Sequence, residues 1–215
     1  MRIGVLLGGC GHYDGTDVCE AVLTFLALEE EGEKPVVMAP RRPQDRTVDH
    51  LTGDAIVGEE RDILRESARL WRGRIQRLDE VRPDHLEALI IPGGYGPVVN
   101  FSTGFAKTGE KRAVLPEVET FVRHFLEQRK PIGCISLGEI PVRTILGQEI
   151  IMQAPPASPD QVRVDRDRAV VHTPGFSAWE RLRDVQAGIR SLVRQVLEMM
   201  ADRAAGLRGP EGAQR

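Results

Sequence analysis

The chain has 215 residues, 41% of them hydrophobic, which is enough for one domain with a well-buried core. Its 29 Lys and Arg are outnumbered by 32 Asp and Glu and only 5% of residues are aromatic, which argues against nucleic acid as a partner. The segment "MRIGVLLGGCGHYDG" lacks the apolar run and small-residue cleavage site of a secretory signal, and no stretch approaches the ~18 apolar residues of a membrane span, so a soluble, cytoplasmic protein without a membrane partner is expected.

Short apolar strands alternate with amphipathic helices along the chain. "RIGVLL" (Arg2 to Leu7) predicts a buried strand, followed by a glycine-rich loop and a helix from about Asp17 with Val18, Val22, Phe25 and Leu26 on its inner face. "KPVVMAP" predicts a second strand that stops at Pro40. Residues 41 to 59 are polar and aperiodic, an excursion over the surface; Ile63, Leu64, Leu70 and Trp71 mark the next helix. "LEALIIPGG" is a strand running into a glycine turn, and "LPEVETFVRHFLEQ" a helix with Pro116 in its first turn. "KPIGCISLGE" holds a strand from Pro131 to Ile135 and leads into a helix near Ile140 to Leu146, in which Pro141 predicts a bend. Strands are then expected at "EIIMQ", "QVRVD" and "AVVHT", and a long helix carries Leu182, Val185, Ile189, Leu192, Val193 and Val196 on one side. Residues 1–203 are expected to form a single domain, and residues 204–215 a frayed tail.

This order predicts an α/β fold with an open, mostly parallel sheet covered on both faces. Ligands bind such sheets beyond the carboxyl ends of the strands. Three loops qualify: "GGCGHYDGTD", "PGGYGPVVNFS" and "CISLGE". The last has the character of a nucleophile elbow, because Ser136 ends a strand and Gly138 leaves room for the backbone to turn. Cys134 stands where an esterase GxSxG pattern has glycine, so that pattern is incomplete, and an ordinary βα turn with a serine cap explains the same residues. The Leu137 N–H at the following helix start, with a second donor from the turn Gly93 to Gly94, would form an oxyanion hole. The three cysteines, Cys10, Cys19 and Cys134, are odd in number and lack CxxC spacing, so neither a disulfide framework nor a structural metal is expected.

Several stretches carry a family resemblance: "GGCGHYDGTDVCEAVLT", "DHLTGD", "ESARLWRGRI", "LEALIIPGGYGPVVNFS", "KPIGCIS" and "TPGF". In this order they resemble the ElbB-type branch of the ThiJ/PfpI superfamily, flavodoxin-like domains related to class I glutamine amidotransferases. The resemblance implies a cysteine nucleophile at the elbow, an acidic partner from the first helix, glyoxalase-like activity without metal or organic cofactor, a link by name to isoprenoid biosynthesis, and a homodimer. Matched to this chain, the nucleophile is Ser136, the acid Asp17 and the oxyanion turn Gly93 and Gly94, so serine replaces cysteine and aspartate replaces the usual glutamate.

A serine hydroxyl needs a general base where a thiol does not. His12, on the glycine loop, is the first candidate, oriented by Asp14 or Asp17, and His172 the second. An exposed loop histidine and a satisfied rim histidine are the plainer readings of the two. His50, His85 and His124 read as surface. Asp17 and Glu20 also form a D-x-x-E capping pattern that needs no catalysis. Cys10 packs under the glycine loop or faces the site as a thiol; Tyr13 lines the pocket, and Asn100 donates to a bound carbonyl. The expected function is a small cofactor-independent enzyme acting on a carbonyl compound, glyoxalase-like or a serine-dependent hydrolase or lyase. The alternative is a catalytically silent relative that binds a small ligand or a protein partner through the same pocket.

Overall fold

The computed structural model describes residues 2–103, 113–148 and 156–207. Seven strands form one sheet: β1 (Arg2–Leu6), β2 (Lys34–Ala39), β3 (Gln76–Arg77), β4 (Ala88–Ile91), β5 (Ile132–Ile135), β6 (Arg163–Asp165) and β7 (Val170–Thr173). Their order is β3-β2-β1-β4-β5-β7-β6, and every pairing is parallel except that of β6 with β7. The central strands β4 and β5 are buried at every residue, as expected of strands covered on both faces. This is the doubly covered, flavodoxin-like α/β sheet that the alternation of elements predicts. The strand expected at "EIIMQ" falls on residues 149–153, outside the described residues.

The helices are α1 (Val18–Glu30), α2 (Ile63–Leu70), the single turn α3 (Gly96–Val99), α4 (Pro116–Glu127), α5 (Glu139–Ile145) and α6 (Leu182–Leu207). On one face of the sheet, α1 and α6 pack together through Leu28, Ile189, Val193 and Val196, all fully buried. On the other, α4 places Val118, Val122 and Phe125 against Leu89, Ile91 and Ile132. Gly133 allows the close approach of α6 to β5, since a β-carbon there would sit 2.7 Å from Leu192 Cδ2. Helix α6 continues past residue 203 to Leu207, and the remainder of the expected tail lies outside the described residues.

Three sequence expectations need correction. The inner face of α1 is Glu20, Ala21, Leu23, Thr24, Phe25, Ala27 and Leu28, whereas Val18, Val22 and Leu26 are 44%, 49% and 40% exposed. Of the four residues expected on the inner face only Phe25 is buried, and Glu20, expected only as a member of the capping pattern, is buried as well. Similarly, Leu182 is 52% exposed at the start of α6, although the rest of its predicted stripe is buried. Pro141 requires no bend, because a 3-10 turn (Ser136–Gly138) precedes α5 and makes Pro141 its third residue, where the N–H would have no helical partner. Residues 41–59 run over the surface as expected and are tied down there: bridges join Pro43 to Asp62 and Val48 to Ala55, and Thr47 and Val48 are buried. This hairpin covers the first glycine loop. Val48 N–H donates to Asp14 Oδ2, and Tyr13 N–H donates to His50 Nε2, so His50, exposed as expected, also supports that loop.

Candidate functional site

The loops after β1, β4, β5 and β7 meet at the carboxyl edge of the sheet. Ser136 follows β5 directly with φ = +50°, a left-handed conformation that costs a non-glycine residue ~1–2 kcal/mol. Such strain at the end of a central strand is the geometry of a nucleophile elbow. The turn depends on Gly138, whose missing β-carbon would lie 2.1 Å from the Ile91 carbonyl oxygen. Ser136 is 8% exposed, and its Oγ is 2.5 Å from the Oγ of Ser177, which lies in the 3-10 turn Gly175–Ser177 after β7.

Glu20 brings a buried carboxyl to the Gly93 turn that Ser136 also packs against. It reaches from the inner face of α1, is 1% exposed, and accepts the Gly93 N–H on Oε2 at 2.9 Å and the Phe176 N–H on Oε1 at 3.0 Å. A β-carbon on Gly93 would lie 2.6 Å from Glu20 Oε2 and 2.8 Å from Ser136 Cβ, which shows how closely the three loops converge. Burial, reinforced by the Asp17 charge, raises the carboxyl to about 8 against the opposing effect of the two backbone N–H groups and His12. At neutral pH Glu20 is therefore mostly a carboxylic acid, able to donate a proton as well as accept one.

The residues proposed from sequence fall into two groups. Ser136, Gly93, Gly94 and Leu137 lie in the turns at the strand ends, but the Gly93 N–H is committed to Glu20 and is not a free oxyanion donor. Gly94 adopts φ = +81°, and a β-carbon there would meet the Asp17 nitrogen at 2.5 Å; Leu137 packs against Val98, Val99 and Ile140. Asp17 is the N-cap of α1: its Oδ1 accepts the Glu20 N–H at 3.0 Å, and its Oδ2 lies 3.3 Å from His12 Nδ1. Burial would raise the Asp17 carboxyl, but the His12 and Glu20 N–H bonds outweigh it and hold it low. His12 is half-exposed and is raised chiefly by that same bond. It is paired with Asp17, whereas the partner of the Ser136 hydroxyl is Ser177.

His172 is buried at the end of β7 and touches the elbow through its backbone, with Nε2 3.3 Å from the Ser136 carbonyl oxygen. Since that oxygen can only accept, the proton sits on Nε2 and Nδ1 receives an N–H from Arg163. Burial, reinforced by the Arg163 charge, drives its pKa down to about 3, so His172 stays neutral and has no free nitrogen to take a proton from Ser136. Asn100 is a framework residue: its amide donates to Gly8 O and Asp14 O and its oxygen accepts from Asp45 N, leaving no donor for a ligand carbonyl. Cys10 is half-buried, and burial together with the nearby Glu66 charge raises its thiol; its charged neighbours belong to the α2 side rather than the elbow. Tyr13 is exposed at the rim beside His12, Tyr95 and His50. Cys134 is buried and inert.

Sequence reasoning missed two residues. Ser177 follows "TPGF" with no flanking signal. Glu20 was visible only as the second member of a capping pattern. Among the described residues, no cluster of three or more His, Cys, Asp or Glu could hold a metal ion.

Similarity to known proteins adds the family. No family model matches the chain. The human "Glutamine amidotransferase-like class 1 domain-containing protein 3, mitochondrial" is 33% identical over 92% of this chain and 83% of its own length. The rat "ES1 protein homolog, mitochondrial" is 32% identical over 92% and 84%. The chain belongs to the ES1 family of glutamine amidotransferase-like class 1 domain proteins. The crystal structure of an isoprenoid biosynthesis protein with an amidotransferase-like domain from Ehrlichia chaffeensis superimposes on this ES1-family chain with a TM-score of 0.84, at 28% identity over 92% of this chain and 99% of the other. A mutant DJ-1 superfamily protein from Salmonella typhimurium shares the fold, with a TM-score of 0.53 at 16% identity, covering 97% of this chain and 98% of the other.

These relatives correct one expectation. The chain was read as cytoplasmic, but both curated ES1-family relatives are named mitochondrial. The cytoplasmic expectation rests on the lack of a secretory signal and a membrane span, and neither bears on that organelle.

Proposed function

We propose that this ES1-family protein binds a small carbonyl compound at the elbow and moves a proton on it through Glu20, as a glyoxalase-like enzyme. The observation that carries the reading is a buried carboxyl, raised to about 8, packed beside the strained Ser136. A group of that acidity exchanges protons readily near neutral pH. With a 2-oxoaldehyde, the Ser136 hydroxyl adds to the aldehyde carbon and its proton passes to the new hemiacetal oxygen. Ionised Glu20 then removes the hydrogen on that carbon and returns it to the neighbouring carbon through an enediol, while the hemiacetal hydroxyl proton passes to the neighbouring oxygen, giving a serine ester of the 2-hydroxy acid. Water cleaves the ester and restores the hydroxyl.

Hydrolysis of unactivated esters or amides through a Ser-His-Asp triad is disfavoured, because the nearby histidines are engaged elsewhere. The ElbB-type assignment enters as part of this proposal, supported by "GCGHYDG" and "PGGYG" in matching order.

A second reading is favoured by the Ser136–Ser177 contact: a hydroxyl held by another hydroxyl has no base to activate it, which suits a silent ligand-binding relative. Methylglyoxal turnover separates the two. The enzyme reading expects 2-hydroxy acid formation that rises with pH through about 8, is lost in Ser136→Ala, and is enhanced in Ser136→Cys, whose thiol ionises where serine does not. Turnover unchanged in Ser136→Ala refutes the assigned role. Absence of turnover in wild type, with retained binding, favours the silent reading.

A further inference from the structure

We infer that the cavity between α5 and the β6–β7 hairpin binds a small organic anion with an apolar body, such as a short-chain carboxylate. The cavity holds about 490 Å³, within the roughly 300–1,000 Å³ of small-ligand sites. Val142, Leu146, Val164 and Val170 supply aliphatic walls, while Arg143, Arg163, His172 and Glu139 supply polar ones.

The arrangement of the charged groups indicates the ligand class. Arg163 is anchored by the bond it donates to the buried His172 ring, and that ring is in turn fixed by the Ser136 carbonyl. Glu139 lies 3.4 Å from Arg143 and 3.8 Å from Arg163, and Asp165, also on the wall, pairs with Arg168 at 3.0 Å. Both wall carboxylates are thus turned to guanidiniums, and His172 is neutral, so neither acid is poised for a cation. Both arginines have further partners as well. A guanidinium nevertheless carries five N–H donors in a planar fork, so one held on one edge can take a carboxylate on another. The aliphatic walls favour a ligand whose remainder is hydrocarbon.

The site is distinct from the Ser136 hydroxyl and stands whether or not the elbow is catalytic. It is linked to the elbow through the Ser136 carbonyl, which accepts from His172 and from the backbone N–H of Glu139. Calorimetric titration with sodium hexanoate, with hexanamide as the uncharged control, tests it on the full chain. The expected result is saturable hexanoate binding, at least about tenfold weaker for hexanamide and about tenfold weaker in Arg163→Gln, yet within about twofold of wild type in Ser136→Ala. If Arg163→Gln fails to fold by circular dichroism, Arg143→Gln is read by the same criterion. No binding up to about 10 mM, equal affinity for hexanamide, or indifference to the arginine substitution overturns the inference. Loss in Ser136→Ala would assign the anion to the elbow and overturn it equally.

Discussion

Replacing Glu20 with glutamine is expected to leave the protein folded and to remove a fall in stability that wild type undergoes between about pH 4.5 and 8. The sign follows from proton binding. Below pH 4.5 the carboxyl is protonated in both folded and unfolded chains. Between 4.5 and about 8 the unfolded chain releases the proton while the folded chain keeps it, so each pH unit favours unfolding by ~1.4 kcal/mol. Above 8 both states are ionised and the loss stops. Glutamine has the shape of the protonated acid and does not ionise, so its stability lacks this slope; its one amide oxygen accepts only one of the Gly93 and Phe176 N–H groups, and the loss of the other acceptor lowers stability by an amount that does not change with pH. The difference between the wild-type and Glu20→Gln urea midpoints across this range isolates Glu20, because His172, which opposes it on the acid side, is common to both. Parallel curves would mean that the carboxyl is not held protonated. Glu20→Ala, by contrast, leaves both N–H groups without an acceptor in a buried site and is expected to cost about 3–5 kcal/mol.

The other large effect is expected at Gly138. A β-carbon there would sit 2.1 Å from the Ile91 carbonyl oxygen and 3.3 Å from that of Pro92, and both are backbone atoms that cannot swing aside as a side chain can. Relief requires moving the end of β4 or the start of α5, and either movement displaces Ser136 from its turn. Gly138→Ala is therefore expected to destabilise by more than about 3 kcal/mol and to abolish any chemistry at the elbow. Gly206→Ala is the control. It lies in α6 with nothing within 4 Å of the added carbon, so the same change should stabilise by ~0.5–1 kcal/mol. Thermal unfolding of the two variants beside wild type checks both, and a mild Gly138→Ala would mean that the turn is looser than its contacts imply.

Features written in contiguous residues were legible from the sequence. The strand "PIGCI" ending at Ser136, and the need for glycine at 138, follow from local turn geometry, and the sheet follows from the alternation of elements. The acid was harder to assign. Asp17 was matched to the family's acidic position, but its carboxylate caps α1 and pairs with His12 at the rim, three residues before the carboxyl that points inward. Hydrophobic periodicity misled here because Val18, Val22 and Leu26 form an apolar stripe of their own beside the true inner face, which carries a glutamic acid. A charged residue type on a buried face is invisible to a method that treats charge as a solvent signal. Ser177 was missed because its contact with Ser136 spans 41 residues and depends on how β7 pairs with β5. Asn100 was plausible as a donor until both its amide hydrogens were found committed to the backbone of the first glycine loop.

The account rests on the protonation state of one buried carboxyl. With the glutamates labelled at Cδ with carbon-13, and the Glu20 signal identified by its loss in Glu20→Gln, the shift can be followed from pH 4 upward. We expect this resonance to stay at the position of a neutral acid through pH 7 and to titrate with a midpoint near 8. A midpoint near the ordinary 4.5 would mean a carboxylate already ionised well below neutral pH, and would contradict both the raised acidity of this buried group and the predicted rise of turnover through about pH 8.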